Sequence, residues 1–320
     1  MVRIGYAPYD GTLMRPGDRR RFPAYARARN LQFELADPEE KYDLVILSEL
    51  ADISVWESYP HGQIVFDLID AYLSIPRTDA RQLLRGSFFY LTGRHQRLQF
   101  DYLSNLRRMC QRSAAVVCST GEQAELIGRY CNNVRIILDS HDTVATAVKT
   151  DYRASNPLRL VWEGLPSNLP QLDVLPRDIR QQVTVITAPE WNERTLAQEI
   201  IKHDVAVIPI DLTDTFVTAK PENKLLLLWR MGMPVICSAT PAYKRQMEDV
   251  VLPELACRTP NDWRYALNYL ADEETRSLVG RIGLARSRLF GARQMMGRWD
   301  DLFRSLGFNF HEVADATVAV

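Results

Sequence analysis

HDVAVIPIDLTDTFVTAKPENKLLLLWRMGMPVICS, residues 203–238, is the stretch whose reading decides the fold of this 320-residue chain. A short apolar run ends at Pro209 and reads as a buried strand, followed by a polar loop. Lys220 and Pro221 then lead into an apolar helical segment, Glu222–Met231, and Gly232 precedes a second buried strand, Pro234–Cys237. Proline at the first helical position and glycine just past the end are the expected punctuation of a helix. Strands that are apolar throughout, joined through a helix, indicate a parallel sheet covered on both faces. The helix start is also an electrostatic feature. Backbone N–H groups at Glu222, Asn223 and Lys224 fall where the helix dipole favours an anion, and Lys220 adds a full positive charge beside them. A diphosphate suits such a corner.

Working outward, the same alternation fills the chain. Val2–Tyr6, Leu31–Leu35, Leu44–Leu47, Ile64–Asp67, Ala114–Cys118 and Val134–Leu138 read as strands in the first half, with helices over Arg19–Arg29 and Gly121–Tyr130 and one or two more within Asp79–Arg112. Polar Lys149–Asn156 interrupts the pattern ahead of Pro157 and reads as an interdomain linker. Leu158–Trp162, Val183–Ile186, Val205–Pro209 and Pro234–Cys237 then read as strands. Leu196–Lys202, Glu222–Met231, Ala242–Met247, Trp263–Leu270 and Glu273–Phe290 read as helices. The expectation is α/β, two doubly wound Rossmann-like domains facing across a cleft. They cover residues 1–150 and 151–290, with a closing helix in 291–310 that packs back toward the first domain and a tail over 311–320.

Composition narrows the function classes. Thirty-nine basic against forty acidic residues give a formal net charge of -1, which offers no global attraction to nucleic acid. Five scattered cysteines, with no CxxC pair and no zinc spacing, read as buried free thiols in a reducing compartment. The five histidines do not cluster at metal-ligand spacing, and no Asp-x-Asp, GxSxG or GxxxxGK[ST] motif occurs. With no signal-peptide pattern at Met1 and no apolar run of membrane-spanning length, the expectation is a cytoplasmic protein.

Pro209, Lys220, Asn223, Lys224, Leu225, Gly232, Pro234, Val235 and Ile236 together resemble the nucleotide-sugar-binding segment of GT-B glycosyltransferases, particularly the retaining, group 1-like (family 4) enzymes of bacterial surface polysaccharides. The resemblance extends upstream to LRLVWEGLPSN, from Leu158, and downstream to the helices of Thr259–Arg286, about half the chain. More faintly it covers YAPYDGTLMRPGDRRRF, VFDLIDAYL and AAVVCSTGEQAELI in the first half. It implies a metal-independent hexosyltransferase with no bound cofactor. The donor is a nucleoside-diphosphate sugar and the acceptor a glycan or a lipid-linked molecule, with the anomeric configuration retained. Many retaining relatives carry a Glu-x7-Glu pair, which alignment places at Ala219 and Leu227, neither of them acidic. That departure keeps open a second reading, a non-catalytic GT-B-like protein that binds a nucleotide or a partner glycosyltransferase.

The candidate site residues follow from both arguments. Lys220, Glu222, Asn223 and Lys224 are assigned to the nucleotide sugar. Gly164, Ser167 and Asn168 follow a strand end and either line the phosphate or sugar side or form an ordinary turn. Pro189 follows another strand end, where the resemblance implies nucleobase recognition through backbone groups. Trp191 beside it either stacks on the base or packs. Gly11 and Arg15, in the loop after the first strand with Gly17 and Asp18, either meet the departing diphosphate or form a surface turn into a helix capped by Asp18. Asp70, three residues from Asp67, is the candidate catalytic carboxylate that orients the acceptor, against a capping or solvent-facing role. Finally, eight arginines between Arg77 and Arg112 interleave with Phe88, Phe89, Tyr90, Phe100 and Tyr102. They read either as a peripheral contact with an anionic membrane, at the inner face, or as a solvated arginine surface.

Overall fold

The structure is a computed structural model that describes residues 2–75, 80–188 and 190–310. The chain divides into two compact units. Unit 1 comprises the chain up to Asp139 together with the stretch from Met295 on, and unit 2 comprises Ser140–Gln294.

Unit 1 is built on six parallel strands: β1 (Ile4–Ala7), β2 (Glu34–Leu35), β3 (Leu44–Ser48), β4 (Gln63–Asp67), β5 (Ala115–Cys118) and β6 (Val134–Ile136), in the spatial order β2-β1-β3-β4-β5-β6. β1, β3 and β5 are buried along their whole length, which is why they read as continuous apolar runs, whereas the edge strands β2 and β6 are largely exposed. The helix expected over Arg19–Arg29 is two helices, Pro16–Arg20 and Phe22–Ala28. Pro23 sits at the start of the second, and Arg21 between them leaves helical geometry at φ -106°, ψ -127°. The arginine-rich stretch likewise forms two helices, Ala80–Leu91 and Tyr102–Arg112. The last helix, Ala292–Ser305, brings Trp299 and Phe303 against Phe22 and Tyr25, and Asp300 accepts from the Tyr25 hydroxyl at 2.9 Å.

Unit 2 carries five parallel strands: β7 (Leu160–Glu163), β8 (Val183–Ile186), β9 (Val205–Ile208), β10 (Val235–Ser238) and β11 (Ala256–Cys257), ordered β11-β10-β9-β7-β8. The division between units falls at Asp139, not within Lys149–Asn156, because that segment is tied into unit 2. The Lys149 N–H donates to Met231 O at 2.8 Å and its ammonium to Ile201 O at 3.2 Å; the Tyr152 hydroxyl donates to Gly232 O at 2.9 Å. Gly232, at φ +70°, ends the helix Asn223–Arg230 in the left-handed conformation that glycine adopts without steric cost. Gly283, on the helix Glu273–Ser287, permits a close approach: a Cβ there would lie 2.4 Å from the Trp229 ring.

Among the described residues no helix is long and apolar enough to cross a membrane, and no group of three or more His, Cys, Asp or Glu is arranged to hold a metal ion. All five cysteines are buried and free.

Candidate functional site

Doubly wound sheets bind ligands beyond the carboxyl ends of their strands, where the strand order reverses. In unit 2 that point lies between β7 and β9, which neighbour each other although β8 intervenes in sequence. β7 ends at the buried Glu163. One of its carboxylate oxygens lies 3.3 Å from the Lys224 ammonium, and the other accepts from the Trp191 indole N–H at 3.0 Å. Lys224 also donates to the Glu163 carbonyl and sits 5.1 Å from the centre of the Trp162 ring. Gly164 makes room for this arrangement, since a Cβ there would lie 2.8 Å from Trp162 and 3.2 Å from the Lys224 nitrogen.

The helix Asn223–Arg230 starts at the same edge, with Glu222 as its N-cap residue. Pro221 therefore precedes the cap and does not occupy the first helical turn. Glu222 is buried, accepts from Gln246 Nε2 at 2.9 Å, and through Gln246 joins Arg286, whose Nε donates at 3.0 Å. Tyr243 is buried beneath this corner. Burial first, then the neighbouring Cys237 and the carboxylates Glu222 and Glu163, push its hydroxyl far above the ordinary tyrosine range. The polar loop after β9 is anchored from below: the Ile210 N–H donates to Ser238 Oγ at 2.8 Å and the Asp211 N–H to Gln171 Oε1 at 2.6 Å. It contains a short helix, Thr215–Thr218, capped by Asp214.

Lys220 is half-buried, and its ammonium has no ion-pair partner among the described residues. Lys224 is instead matched to Glu163 within the protein, so the two lysines at this edge differ in kind. Trp191 packs through a hydrogen bond to Glu163. Ser167 is exposed, and Asn168 closes a turn through its N–H to Leu165 O at 2.9 Å. Pro189 lies outside the described residues.

In unit 1 the strand order reverses between β1 and β3. Arg21, at 1% exposure, donates to both oxygens of Asp67 at 2.6 Å, to Asp139 at 2.9 Å and to Ile137 O at 2.9 Å. Asp67 is thereby a structural partner of Arg21. Asp18 is also buried and accepts from the Tyr6 hydroxyl at 2.7 Å and the Tyr9 N–H at 3.0 Å. It lies inside the helix Pro16–Arg20 and does not cap it, because Arg15 occupies the cap position. Arg15 is exposed and paired with Asp10 at 2.8 Å, and Gly11 has open space around it.

Asp70 is half-buried. Its N–H donates to Glu49 Oε2 at 2.7 Å, and its carbonyl accepts from Gln123 Nε2 at 3.0 Å. Glu49 was missed from sequence, although a carboxylate directly after the apolar run LVILS is a visible signal. Burial, then the charge of Asp70, raise its carboxyl to about 8, where it holds its proton at neutral pH.

Comparison with known proteins places this architecture. No protein-family model matches the chain, and no curated protein sequence matches it. Solved structures do. A TarM mutant of S. aureus, crystallised with UDP and α-GlcNAc-glycerol, superposes with a TM-score of 0.53 at 9% identity, covering 81% of this chain and 55% of TarM. WaaG, a glycosyltransferase involved in lipopolysaccharide biosynthesis, gives 0.51 at 11% identity over 95% of this chain and 100% of its own. The trehalose 6-phosphate synthase of Burkholderia multivorans gives 0.50 at 11% identity over 89% and 73%. The chain thus spans little more than half the length of TarM. The two parallel sheets and these neighbours identify the fold as GT-B, a two-domain α/β architecture.

Proposed function

We propose that this protein transfers a glycosyl group from a nucleoside-diphosphate sugar to a hydroxyl of a glycan or lipid-linked acceptor, with the anomeric configuration retained. The observation that carries the reading is Lys220. On a GT-B fold, it is an ammonium without an ion-pair partner among the described residues, three residues before a helix start and at the edge where β7 and β9 diverge. Negative charge that develops on the departing diphosphate is stabilised there by a full positive charge and by the helix dipole. Retention is supported by the likeness of Asn223–Ile236 to retaining enzymes. Asp70 orients the acceptor hydroxyl, and the absence of an Asp-x-Asp motif supports transfer without a divalent metal.

The test is a thermal-shift panel of UDP, GDP, ADP, CMP and their common sugar conjugates on the wild type and Lys220→Ala. A selective upward shift that the variant loses supports the site, and product formation in the presence of a chelator supports metal-free transfer. A shift with neither sugar hydrolysis nor transfer assigns the chain to nucleotide binding alone. An unchanged shift in Lys220→Ala refutes the assignment of Lys220.

We also propose that the arginine-rich part of unit 1 meets an anionic membrane. Among the described residues, six of the eighteen exposed large apolar side chains fall within residues 84–100, among them Leu84, Phe88, Leu91 and Phe100, and residues 80–100 contain four arginines and no acidic residue. This composition fits interfacial binding. Sedimentation with anionic vesicles at low salt tests it, and no binding there removes it. Arg77 and Asp79 lie outside the described residues.

A further inference from the structure

Residues 91–100 are built inside out. Leu91, Leu98 and Phe100 are exposed, while the two buried residues of the stretch are polar, His95 and Gln99. Apolar burial therefore does little to hold this segment down, and polar contacts do it instead. The Gln96 N–H donates to Asp52 Oδ2 at 2.7 Å, the Arg97 N–H to Ser54 Oγ at 3.1 Å and the Arg97 guanidinium to Ser58 Oγ at 3.0 Å. Asp52 is the hub of these contacts, because its Oδ1 also caps the helix Ile53–Trp56 by accepting from the Ser54 N–H at 3.0 Å. The helix Ala80–Leu91 closes on the segment at Gly86, where a Cβ would lie 2.2 Å from Gln99 O.

His95 lies under this attachment, with Nδ1 3.9 Å from Asp52 Oδ1. Its ring centre is 4.9 Å from that of Phe89 and 6.1 Å from that of Tyr102. Nδ1 is shielded from solvent without a hydrogen-bond partner, and so is Gln99 Oε1. Burial holds the imidazole below the ordinary histidine value, against the opposing pull of the Asp52 charge and the Gln99 amide, so it is neutral at pH 7. The other charged and titratable groups that face it are Tyr102, Arg85 and Arg94. The two guanidinium groups lie 5.7 Å and 5.6 Å from the centre of the Phe89 ring that contacts His95. Both add to the resistance against a second positive charge.

We propose that His95 and Asp52 form a proton-operated latch on residues 91–100. An imidazolium competes for the Asp52 oxygens that cap the helix Ile53–Trp56 and hold Gln96, and the segment comes loose with its apolar side chains. In the released segment His95 titrates at its ordinary value of about 6.5, and in the attached segment below it. Attachment is therefore complete above about 6.5 and weakens as pH falls below it. Taken with the membrane reading, on which only this consequence rests, an anionic lipid surface attracts protons as well as arginines and so releases the segment that enters it.

The experiment is amide hydrogen exchange on the full chain at pH 7.5 and pH 5.5, corrected for the intrinsic pH dependence of exchange, in the wild type and His95→Gln. Protection of the Gln96 and Arg97 amides is expected to fall by ~3–10-fold in the wild type on acidification, the reach of one proton over one pH unit. In His95→Gln, which cannot titrate, it is expected to stay level. Level protection in the wild type, or an equal fall in His95→Gln, overturns the proposal. Should His95→Gln lack protection already at pH 7.5, the wild-type His95 ring resonance decides, identified by its loss in that variant. A midpoint below the ordinary histidine value that coincides with the loss of protection supports the latch, and a midpoint above it overturns it. Sedimentation with phosphatidylglycerol vesicles keeps the two readings apart. No binding at either pH ends the membrane reading and leaves the latch, whereas binding without any change in exchange ends the latch and leaves the membrane reading.

Discussion

The two sheet edges share one architecture and carry opposite electrostatics. In unit 1 the dominant cation, Arg21, is buried and enclosed by Asp67 and Asp139, and among the described residues the buried hydroxyls of Tyr9 and Ser48 have no hydrogen-bond partner. In unit 2 the arrangement is reversed. The acidic groups Glu163 and Glu222 are buried and engaged by Lys224, Trp191 and Gln246, while the cation Lys220 has no ion-pair partner among the described residues. A fold that fixes where strands end leaves the sign of charge there to a few side chains.

The largest effect expected from breaking this contrast is at Arg21. Arg21→Met strands Asp67 in the interior, and unpairing a buried carboxylate costs about 3–5 kcal/mol. Urea unfolding followed by circular dichroism measures it, and a loss below about 1 kcal/mol denies Arg21 its structural role. The lysine pair sharpens the comparison within unit 2. Lys224→Met leaves Glu163 with Trp191 alone and is expected to destabilise by about 1–3 kcal/mol. Lys220→Met is expected to change stability by less than about 0.5 kcal/mol while it removes the nucleotide-induced shift. If the two variants exchange these phenotypes, the lysines have been assigned the wrong way round.

A further contrast is a pH slope. The Glu49 carboxyl is raised to about 8 in the fold, so between the ordinary glutamate value of about 4.3 and about 8 the folded state keeps a proton that the unfolded chain has released. Its contribution to stability is therefore complete below that window and is lost as pH rises through it. Glu49→Gln cannot titrate, so its Tm is expected to fall less than that of the wild type between pH 5 and pH 9. Parallel Tm curves would show that Glu49 is not the titrating group.

The interior strands were legible because they are apolar on both faces: LVILS, VAVI and VICS admit one reading. The strand Ala256–Cys257 escaped detection, since two residues at a sheet edge carry no periodicity. Arg21 is invisible in sequence for a related reason. An arginine among RRRF reads as surface, and only the helix break beside Pro23 and a carboxylate 46 residues away bury it. Lys220 and Lys224 look equivalent in the motif, four residues apart. Their difference rests on Glu163, 61 residues before Lys224, and on the indole of Trp191. Local pattern locates an edge, but long-range pairing decides which charge on it is available.

The return of the chain to unit 1 at Met295 sets an order of events during synthesis. Phe22 and Tyr25 are translated long before the rings that cover them, Trp299 and Phe303, and the Asp300 carboxylate that accepts from the Tyr25 hydroxyl. Unit 2 is one uninterrupted segment and is complete on the ribosome before unit 1 can close. A nascent chain halted before residue 295 therefore leaves the Phe22 and Tyr25 rings without Trp299 and Phe303 over them, and unit 1, though begun first, closes after unit 2.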